Sequence, residues 1–163
     1  MTFLRQVSQI LDTEHRAALE LLGRVERAVC AHPRASAGDR RYAELAAAFA
    51  RLLEHDTGRH FEFEEGELFT RLTQAGDGDI ATLLTQEHEA IRAVAAELLP
   101  LARAAAAGIL PDGAFDAFKR GVLEIVERQV AHIQKETMAL LPLLDELLDD
   151  DADRQLSMRY ASS

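Results

Sequence analysis

Two segments of this sequence place a glutamate four residues after a histidine: His60 with Glu64, and His132 with Glu136. Residues four apart lie on one face of an α-helix. A single histidine precedes each pair at nearly the same distance, 45 residues in one case (15 to 60) and 44 in the other (88 to 132). This spacing indicates an internal repeat of a two-helix unit, in which each half supplies the same three side chains.

These side chains are of the types that coordinate metal ions. Imidazole and carboxylate without thiolate suit iron, manganese or zinc, and two bridging carboxylates in a helical bundle favour a pair of iron or manganese ions. A structural zinc site needs only four ligands and usually includes cysteine. We therefore predict two iron ions with an oxo or hydroxo bridge, and manganese or zinc as substitutes. The predicted metal ligands are His15, His60, Glu64, His88, His132 and Glu136.

Each of these residues has an ordinary structural explanation when it is taken alone. A single histidine on an apolar helix face is more often a hydrogen-bonded core residue than a ligand, and a single glutamate usually faces solvent. Several such groups in one core are different, because an unpaired buried carboxylate is energetically costly. The repeat therefore favours metal coordination over a purely structural bundle with incidental histidines.

The elements that must position these residues are helices. Four long segments have helical apolar periodicity, at about 3–31, 39–74, 80–107 and 114–149. Asp39 is a good N-cap for the second segment, Pro100 predicts a kink in the third, and Pro142 predicts a bend in the fourth. Because the connections are short, we expect an all-α fold, an up-down-up-down antiparallel four-helix bundle over residues 1–149. The acidic and then polar tail, 150–163, is expected to fray.

The rise of a helix tests whether the six predicted ligands can meet. At about 1.5 Å per residue, measured from one end of the bundle, all six lie within one or two helical turns of a common height. They can therefore share one layer. An octahedral ion that takes two histidines and shares both glutamates would keep an open position, where O₂, NO or peroxide could bind.

Composition limits the partners and the location. The chain of 163 residues fits one compact domain, and its formal net charge of −10 argues against a nucleic-acid partner or an anionic membrane surface. The N-terminal residues turn polar too soon for a signal peptide, and no apolar run is long enough to span a bilayer. A single cysteine, Cys30, fits a reducing compartment. We therefore expect a cytoplasmic location.

Two stretches resemble a known family. Residues 60–69 resemble the second-helix motif of hemerythrin-like, or HHE cation-binding, domains, and residues 132–142 resemble the fourth-helix motif. The resemblance covers nearly the whole chain and implies that the six predicted ligands bind iron. Oxygen-carrying hemerythrins have a second histidine where Arg92 stands and an aspartate where Thr137 stands. The pattern is closer to bacterial proteins implicated in iron–sulfur cluster repair and nitric oxide stress.

The expected function follows from this resemblance and the open coordination position. We predict a non-haem di-iron protein that binds or senses O₂ or NO, or takes part in iron handling and iron–sulfur repair under oxidative or nitrosative stress. The alternative is a di-iron peroxidase or oxidase. The sequence does not indicate a protein partner.

Residues around the ligands should accept the remaining histidine N–H groups. Glu14, Glu87 and Gln129 are the candidates. Glu65 belongs to a run of charges that usually faces solvent, so we do not expect it to take this role. Arg92 is expected to form a surface salt bridge.

Overall fold

A computed structural model describes residues 2–31 and 39–163, and across these ranges all regular structure is helical. The α-helices are α1 (Gln6–Ala31), α2 (Arg40–His55), α3 (Phe61–Phe63), α4 (Phe69–Ala75), α5 (Gly78–Ala106), α6 (Phe115–Lys135), α7 (Leu141–Leu147) and α8 (Asp150–Ser162). Short helical turns of other types are Asp56–His60, Glu64–Leu68 and Glu136–Leu140, which are π-helical, and Asp112–Ala114, which is 3₁₀. The predicted all-α class is confirmed.

The π-helical turns join shorter helices into long ones. Residues 40–75 form one continuous helical segment that contains α2, α3 and α4, and residues 115–147 form another that contains α6 and α7. Together with α1 and α5, they correspond to the four long helices predicted from the sequence. α5 includes Pro100 in its interior and continues to Ala106. The residues that follow the predicted end of the first helix, 32–38, lie outside the described residues.

Local sequence explains where the second segment begins and ends. The Asp39 side chain accepts hydrogen bonds from the backbone N–H groups of Arg41 and Tyr42, at 3.0 and 3.3 Å, so the predicted N-cap is confirmed. The segment ends at Gly76, whose φ of 100° suits a residue without a side chain. The next N–H, of Asp77, donates to the carbonyl of Leu72 at 2.9 Å, which closes a Schellman motif.

The core consists of two apolar clusters. The first cluster includes Leu22, Phe49, Leu98 and Phe118, and the second includes Leu11, Leu72, Leu84 and Leu144. α1 and α5 each run from the second cluster to the first, whereas 40–75 and 115–147 run from the first to the second. In all four, the predicted ligands lie close to the point where the segment passes from one cluster to the other. This alternation is consistent with a four-helix bundle, and the antiparallel arrangement stays a prediction.

The expectation that residues 150–163 fray is wrong, because this segment contains α8. The Asp149 side chain caps the helix by accepting from the N–H of Ala152 at 2.8 Å, and acidic residues in the first turn suit the positive end of the helix dipole. Leu156 and Tyr160 are 0% and 3% exposed and belong to the second cluster. The acidic run therefore begins a helix that two apolar side chains anchor to the core.

α8 also caps the start of α1. The Asp153 carboxylate accepts from the backbone N–H groups of Gln6 and Val7, at 2.8 and 2.9 Å. These two N–H groups have no partner within α1, so the contact satisfies donors that the first turn leaves open. None of the described helices combines the length and the apolar character needed to cross a lipid bilayer.

Candidate metal centre

Three of the six predicted ligands lie in π-helical turns. His60 ends one turn, and Glu64 and Glu136 each begin another. In the last two turns the closing hydrogen bond runs from Phe69 N–H to the Glu64 carbonyl and from Leu141 N–H to the Glu136 carbonyl, five residues back. Such turns occur frequently at functional sites, because the added residue changes the direction in which neighbouring side chains point.

The structure brings the ligands together as two groups of four. In the first group, each of His15, His60, Glu64 and Glu136 has a ligand atom within 4.8 Å of the other three. His15 Nε2 lies 2.9 Å from Glu136 Oε2, and His60 Nε2 lies 2.9 Å from Glu64 Oε1. We call the space that faces these two histidines the His15–His60 position.

The second group consists of Glu64, His88, His132 and Glu136, again with ligand atoms within 4.8 Å of one another. His132 Nε2 lies 2.9 Å from Glu136 Oε1, and His88 Nε2 lies 3.2 Å from Glu64 Oε2. The space that faces these histidines is the His88–His132 position. Both glutamates belong to both groups, so they lie between two pairs of histidines.

The two glutamates show that hydrogen bonding alone does not account for this arrangement. Both are fully buried, and none of their four carboxylate oxygens has a hydrogen-bond partner among the described residues, although imidazole nitrogens lie as close as 2.9 Å. Unsatisfied buried carboxylates are strongly destabilising. Short distances without hydrogen-bond geometry are expected for atoms that converge on a shared cation. The donor set therefore fits a pair of metal ions.

The second ring nitrogen of each histidine has its own partner. Nδ1 of His60 lies 2.9 Å from a Glu14 oxygen, and Nδ1 of His132 lies 2.9 Å from a Glu87 oxygen, as predicted. Nδ1 of His15 lies 3.2 Å from the Thr137 hydroxyl. A carboxylate beside Nδ1 keeps the proton on that nitrogen and leaves Nε2 as the metal ligand. The outer contacts thus orient Nε2 toward the glutamate pair.

Comparison with known families agrees with this geometry. The family model for the hemerythrin HHE cation-binding domain matches residues 6–144. The chain belongs to the hemerythrin HHE cation-binding family. The match includes all six predicted ligands and ends before α8. A comparison with curated proteins found no match.

Two predictions about the surroundings of the candidate metal centre are wrong. Glu65 was expected to face solvent, but its Oε1 lies 2.8 Å from Nδ1 of His88. Gln129 was a candidate acceptor, but its amide donates to Asp56 at 3.2 Å instead. Among the four glutamates between positions 62 and 67, Glu64 is buried, Glu62 is exposed and the other two are half-buried. The sequence has no periodicity that identifies Glu65 as the partner of His88.

Arg92 holds Glu65 in place. Its guanidinium donates to both Glu65 oxygens, at 2.8 and 3.2 Å, and to the Thr57 carbonyl at 3.3 Å. The predicted salt bridge is therefore present, and its partner is the carboxylate that orients His88. Burial raises the pKa of Glu65, but the hydrogen bonds from Arg92 and His88 outweigh it and lower the pKa overall.

Sequence reasoning missed Tyr160, because the tail was expected to fray. The Tyr160 hydroxyl donates to Glu14 and lies 3.3 Å from Nδ1 of His60. Burial raises the Glu14 pKa, but hydrogen bonds from His55, His60 and Tyr160 outweigh it, so the pKa is lowered. The four-residue spacing of Leu156 and Tyr160, one apolar face in a polar tail, was the signal that could have located this helix.

The charges at the centre stabilise one another. Burial lowers the pKa of His88, but the nearby carboxylates of Glu136 and Glu64 outweigh it and raise the pKa to about 9. The same carboxylates raise the pKa of His132, again against burial. Burial raises the pKa of Glu136, but the surrounding histidines hold it well below its usual value. Without a metal ion, the candidate metal centre is therefore a cluster in which histidines pair with glutamates.

A small cavity and an aromatic ring lie at the centre. A small cavity leaves about 10 Å³ for the centre of a water molecule and is bounded by four of the predicted ligands: His15, His60, His132 and Glu136. Asp56, Gln129 and Ala18 also contribute to its walls. Burial raises the pKa of the Asp56 carboxyl to about 6, against the lowering influence of nearby histidines. The Phe61 ring, which also lines this cavity, stacks on His88 at 3.7 Å with an angle of 7° between planes.

Proposed function

We propose that the protein is a non-haem di-iron protein. One iron would lie at the His15–His60 position and the other at the His88–His132 position, with Glu64 and Glu136 shared between them and an oxo or hydroxo bridge. The observation that carries this proposal is the pair of fully buried carboxylates that lack hydrogen bonds, each between histidines from both halves of the repeat. Two cations would satisfy these oxygens.

The chemistry of the donor atoms supports iron. The ligand set contains only imidazole nitrogens and carboxylate oxygens, which suit iron and manganese, with zinc as a further substitute. When bound, an iron pair supplies a redox-active Lewis acid to which a small molecule can bind. The chain itself orients the imidazoles through Glu14, Glu65 and Glu87, and the two apolar clusters exclude water above and below the layer.

The proposed role is to bind or sense O₂ or NO, or to take part in iron handling and iron–sulfur repair under oxidative or nitrosative stress. The small cavity bounded by His15, His60, His132 and Glu136 leaves no room for an organic substrate, which supports a ligand of very few atoms. A di-iron peroxidase or oxidase is the second candidate, because a buried carboxyl group, Asp56, contributes to the wall of this cavity.

Three further features belong to the same proposal. The helices are proposed to be antiparallel in the order up-down-up-down, because short connections join them. The protein is proposed to act in the cytoplasm, which the single cysteine supports. Residues 1–149 are proposed to form the HHE domain, with α8 packed against it.

A pair of variants tests the proposal. Glu64→Ala combined with Glu136→Ala should abolish iron binding and lower the melting temperature of protein purified with iron, because bound metal stabilises the folded state. Glu62 is exposed and lies between His60 and Glu64 in the sequence, so Glu62→Ala is the matched control and should retain iron. If the double variant keeps its metal content and melts at a higher temperature, the glutamates are merely buried charges and the proposal is wrong. Binding of zinc but no iron would also contradict it.

A further inference from the structure

The internal repeat extends from the proposed ligands to the residues behind them. Glu14 precedes the single histidine of the first half, and its Oε2 lies 2.9 Å from Nδ1 of His60. Glu87 has the same place in the second half, and its Oε2 lies 2.9 Å from Nδ1 of His132. In each half, the glutamate before the single histidine therefore orients the histidine of the four-residue pair.

The contact behind each single histidine departs from the repeat. Glu65 lies five residues after the histidine of the first pair, and its Oε1 lies 2.8 Å from Nδ1 of His88. Thr137 has the corresponding place in the second pair, and its hydroxyl lies 3.2 Å from Nδ1 of His15. One of the four histidines thus has a neutral hydroxyl beside Nδ1, whereas the other three have a carboxylate.

The arginine that supports Glu65 has no counterpart near Thr137. Arg92 donates to both oxygens of Glu65, at 2.8 and 3.2 Å. The corresponding residue of α1 is Leu19, since each of the two lies four residues after the single histidine of its half. Leucine has no side-chain donor. The sequence therefore changes both members of this pair together.

Two aromatic rings further restrict the orientation of His88. Phe61 stacks on its imidazole at 3.7 Å with 7° between planes, and Phe69 stacks at 5.4 Å with 29°. The corresponding residues of the second pair are aliphatic, Ile133 and Leu141. A ring that is already held in one orientation loses less conformational freedom when it binds a ligand.

We propose that the two metal positions differ in affinity: the His88–His132 position binds iron first and more tightly, and the uncharged side chain of Thr137 weakens the His15–His60 position. The inference rests on the proposed di-iron function and concerns the order in which the centre is filled. Both histidines of the tighter position have a carboxylate beside Nδ1, which makes Nε2 a stronger donor to a metal ion. At limiting iron, the chain therefore holds one ion before the pair is complete.

Asp56 acts against this difference. Its buried carboxyl group lies in the wall of the cavity that His15 and His60 help to bound, and a negative charge there attracts a cation. Gln129 donates to this carboxyl at 3.2 Å, and among the described residues no ring nitrogen of a proposed ligand forms a hydrogen bond to it. We expect the carboxylates that touch the rings to have the larger effect, because they act on the imidazoles themselves.

The experiment measures which position fills first. Crystals are grown without oxygen from protein given one equivalent of iron(II) per chain, and the anomalous peaks give the occupancy of each position. We expect the occupancy at the His88–His132 position to be higher by about 10-fold or more, as for the effect of an outer carboxylate on metal affinity. Competition with a chelator gives the two dissociation constants in solution.

Exchanges between the two halves test the cause of the difference. Glu65→Thr gives the tighter position the hydroxyl that the other has, and it should bring the two occupancies close to equality. Thr137→Glu combined with Leu19→Arg supplies the missing pair and should lower the larger dissociation constant by about 10-fold or more. Met138→Ala, at the exposed neighbouring position, is the control and should leave both constants unchanged.

Three results separate this inference from the di-iron proposal. Equal occupancies in the unmodified protein, or more iron at the His15–His60 position, would overturn the inference. Unchanged dissociation constants in the Thr137→Glu, Leu19→Arg protein would also overturn it. If Glu65→Thr does not hold two iron ions at excess iron, Glu65→Gln replaces it. Failure of the unmodified protein to bind two iron ions at excess iron would instead overturn the proposed function.

Discussion

Tyr160 donates a hydrogen bond to Glu14, and this contact joins α8 to the candidate metal centre. The two residues are 146 positions apart in the sequence. Glu14 is also the carboxylate whose Oε2 lies 2.9 Å from Nδ1 of His60. α8 begins after the last residue that the HHE family model matches. An element outside the matched residues therefore helps to orient one of the proposed ligands.

The first prediction concerns the Tyr160 hydroxyl. Tyr160→Phe keeps the ring contact with Phe63, at 4.7 Å, and the Arg59 guanidinium above the ring, but removes the hydrogen bond to Glu14. We expect iron to be lost to a chelator several-fold faster, since changes in the outer contacts of a ligand weaken metal binding by up to about 100-fold. Ser162→Ala, at an exposed position of the same helix, should release iron at the unmodified rate. Equal rates for both variants would show that Tyr160 does not act on the centre.

The second prediction concerns Glu65. Glu65→Gln should weaken metal binding by roughly 10- to 100-fold, because the neutral amide holds the Nδ1 proton of His88 less strongly and loses the ion pair with Arg92. The dissociation constant is measured by competition with a chelator. Glu62→Gln, three residues earlier and exposed, serves as the control with no expected change. If the two variants bind metal equally well, the contact between Glu65 and His88 has no role in binding.

The third prediction concerns the pH dependence of the metal-free protein. Below pH 6.5, His88 is protonated in both the folded and the unfolded chain, so the stabilisation by Glu64 and Glu136 is fully present. As the pH rises to about 9, the folded state loses a proton that the unfolded state has already lost, and this stabilisation disappears. The free energy of unfolding should therefore fall over this range, by on the order of 3 kcal/mol if His88 acts alone.

Urea denaturation in the presence of a chelator, at pH 6.5 and at pH 9, measures this difference. His88→Gln should have a smaller difference, because it lacks the titrating group. Metal affinity should change in the opposite direction and rise with pH, since the histidines must be neutral to bind metal. Equal stability of the unmodified metal-free protein at the two pH values would contradict the pairing of His88 with the carboxylates.

The fourth prediction tests whether α8 packs on the domain. Leu156 is fully buried in the second cluster, so Leu156→Ala should lower the free energy of unfolding by about 2–5 kcal/mol. Met158, on the same helix, is 65% exposed, and Met158→Ala should have little effect. Chemical denaturation of both variants gives the comparison. A frayed tail would make the two changes equally harmless.

Much of the candidate metal centre could be predicted from the sequence because the proposed ligands follow the helical repeat. A histidine and a glutamate four apart share a helix face whatever the details of packing, and the second occurrence in the other half supplies the shared layer. The structure groups His60, Glu64, His132 and Glu136 as this spacing predicts. The π-helical turns at Glu64 and Glu136 could not be predicted, because they depend on how neighbouring helices pack.

The remaining surroundings depend on contacts between distant parts of the chain. The hydrogen bond between Gln129 and Asp56 joins residues 73 positions apart, and that between Tyr160 and Glu14 joins residues 146 positions apart. No local sequence pattern predicts either pair. The acidic composition of 150–163 is also compatible with two structures, because acidic residues are common both in disordered tails and in the first turn of a helix. Burial of Leu156 and Tyr160 distinguishes a packed helix from a disordered tail, and burial depends on the tertiary structure.

The most direct test of the account is crystallography of the iron-loaded protein with anomalous diffraction collected above and below the iron edge. We predict two anomalous peaks between Glu64 and Glu136, one in contact with Nε2 of His15 and His60 and the other with Nε2 of His88 and His132. A single peak, a peak remote from the two glutamates, or no iron peak in crystals of protein prepared with iron would contradict the account.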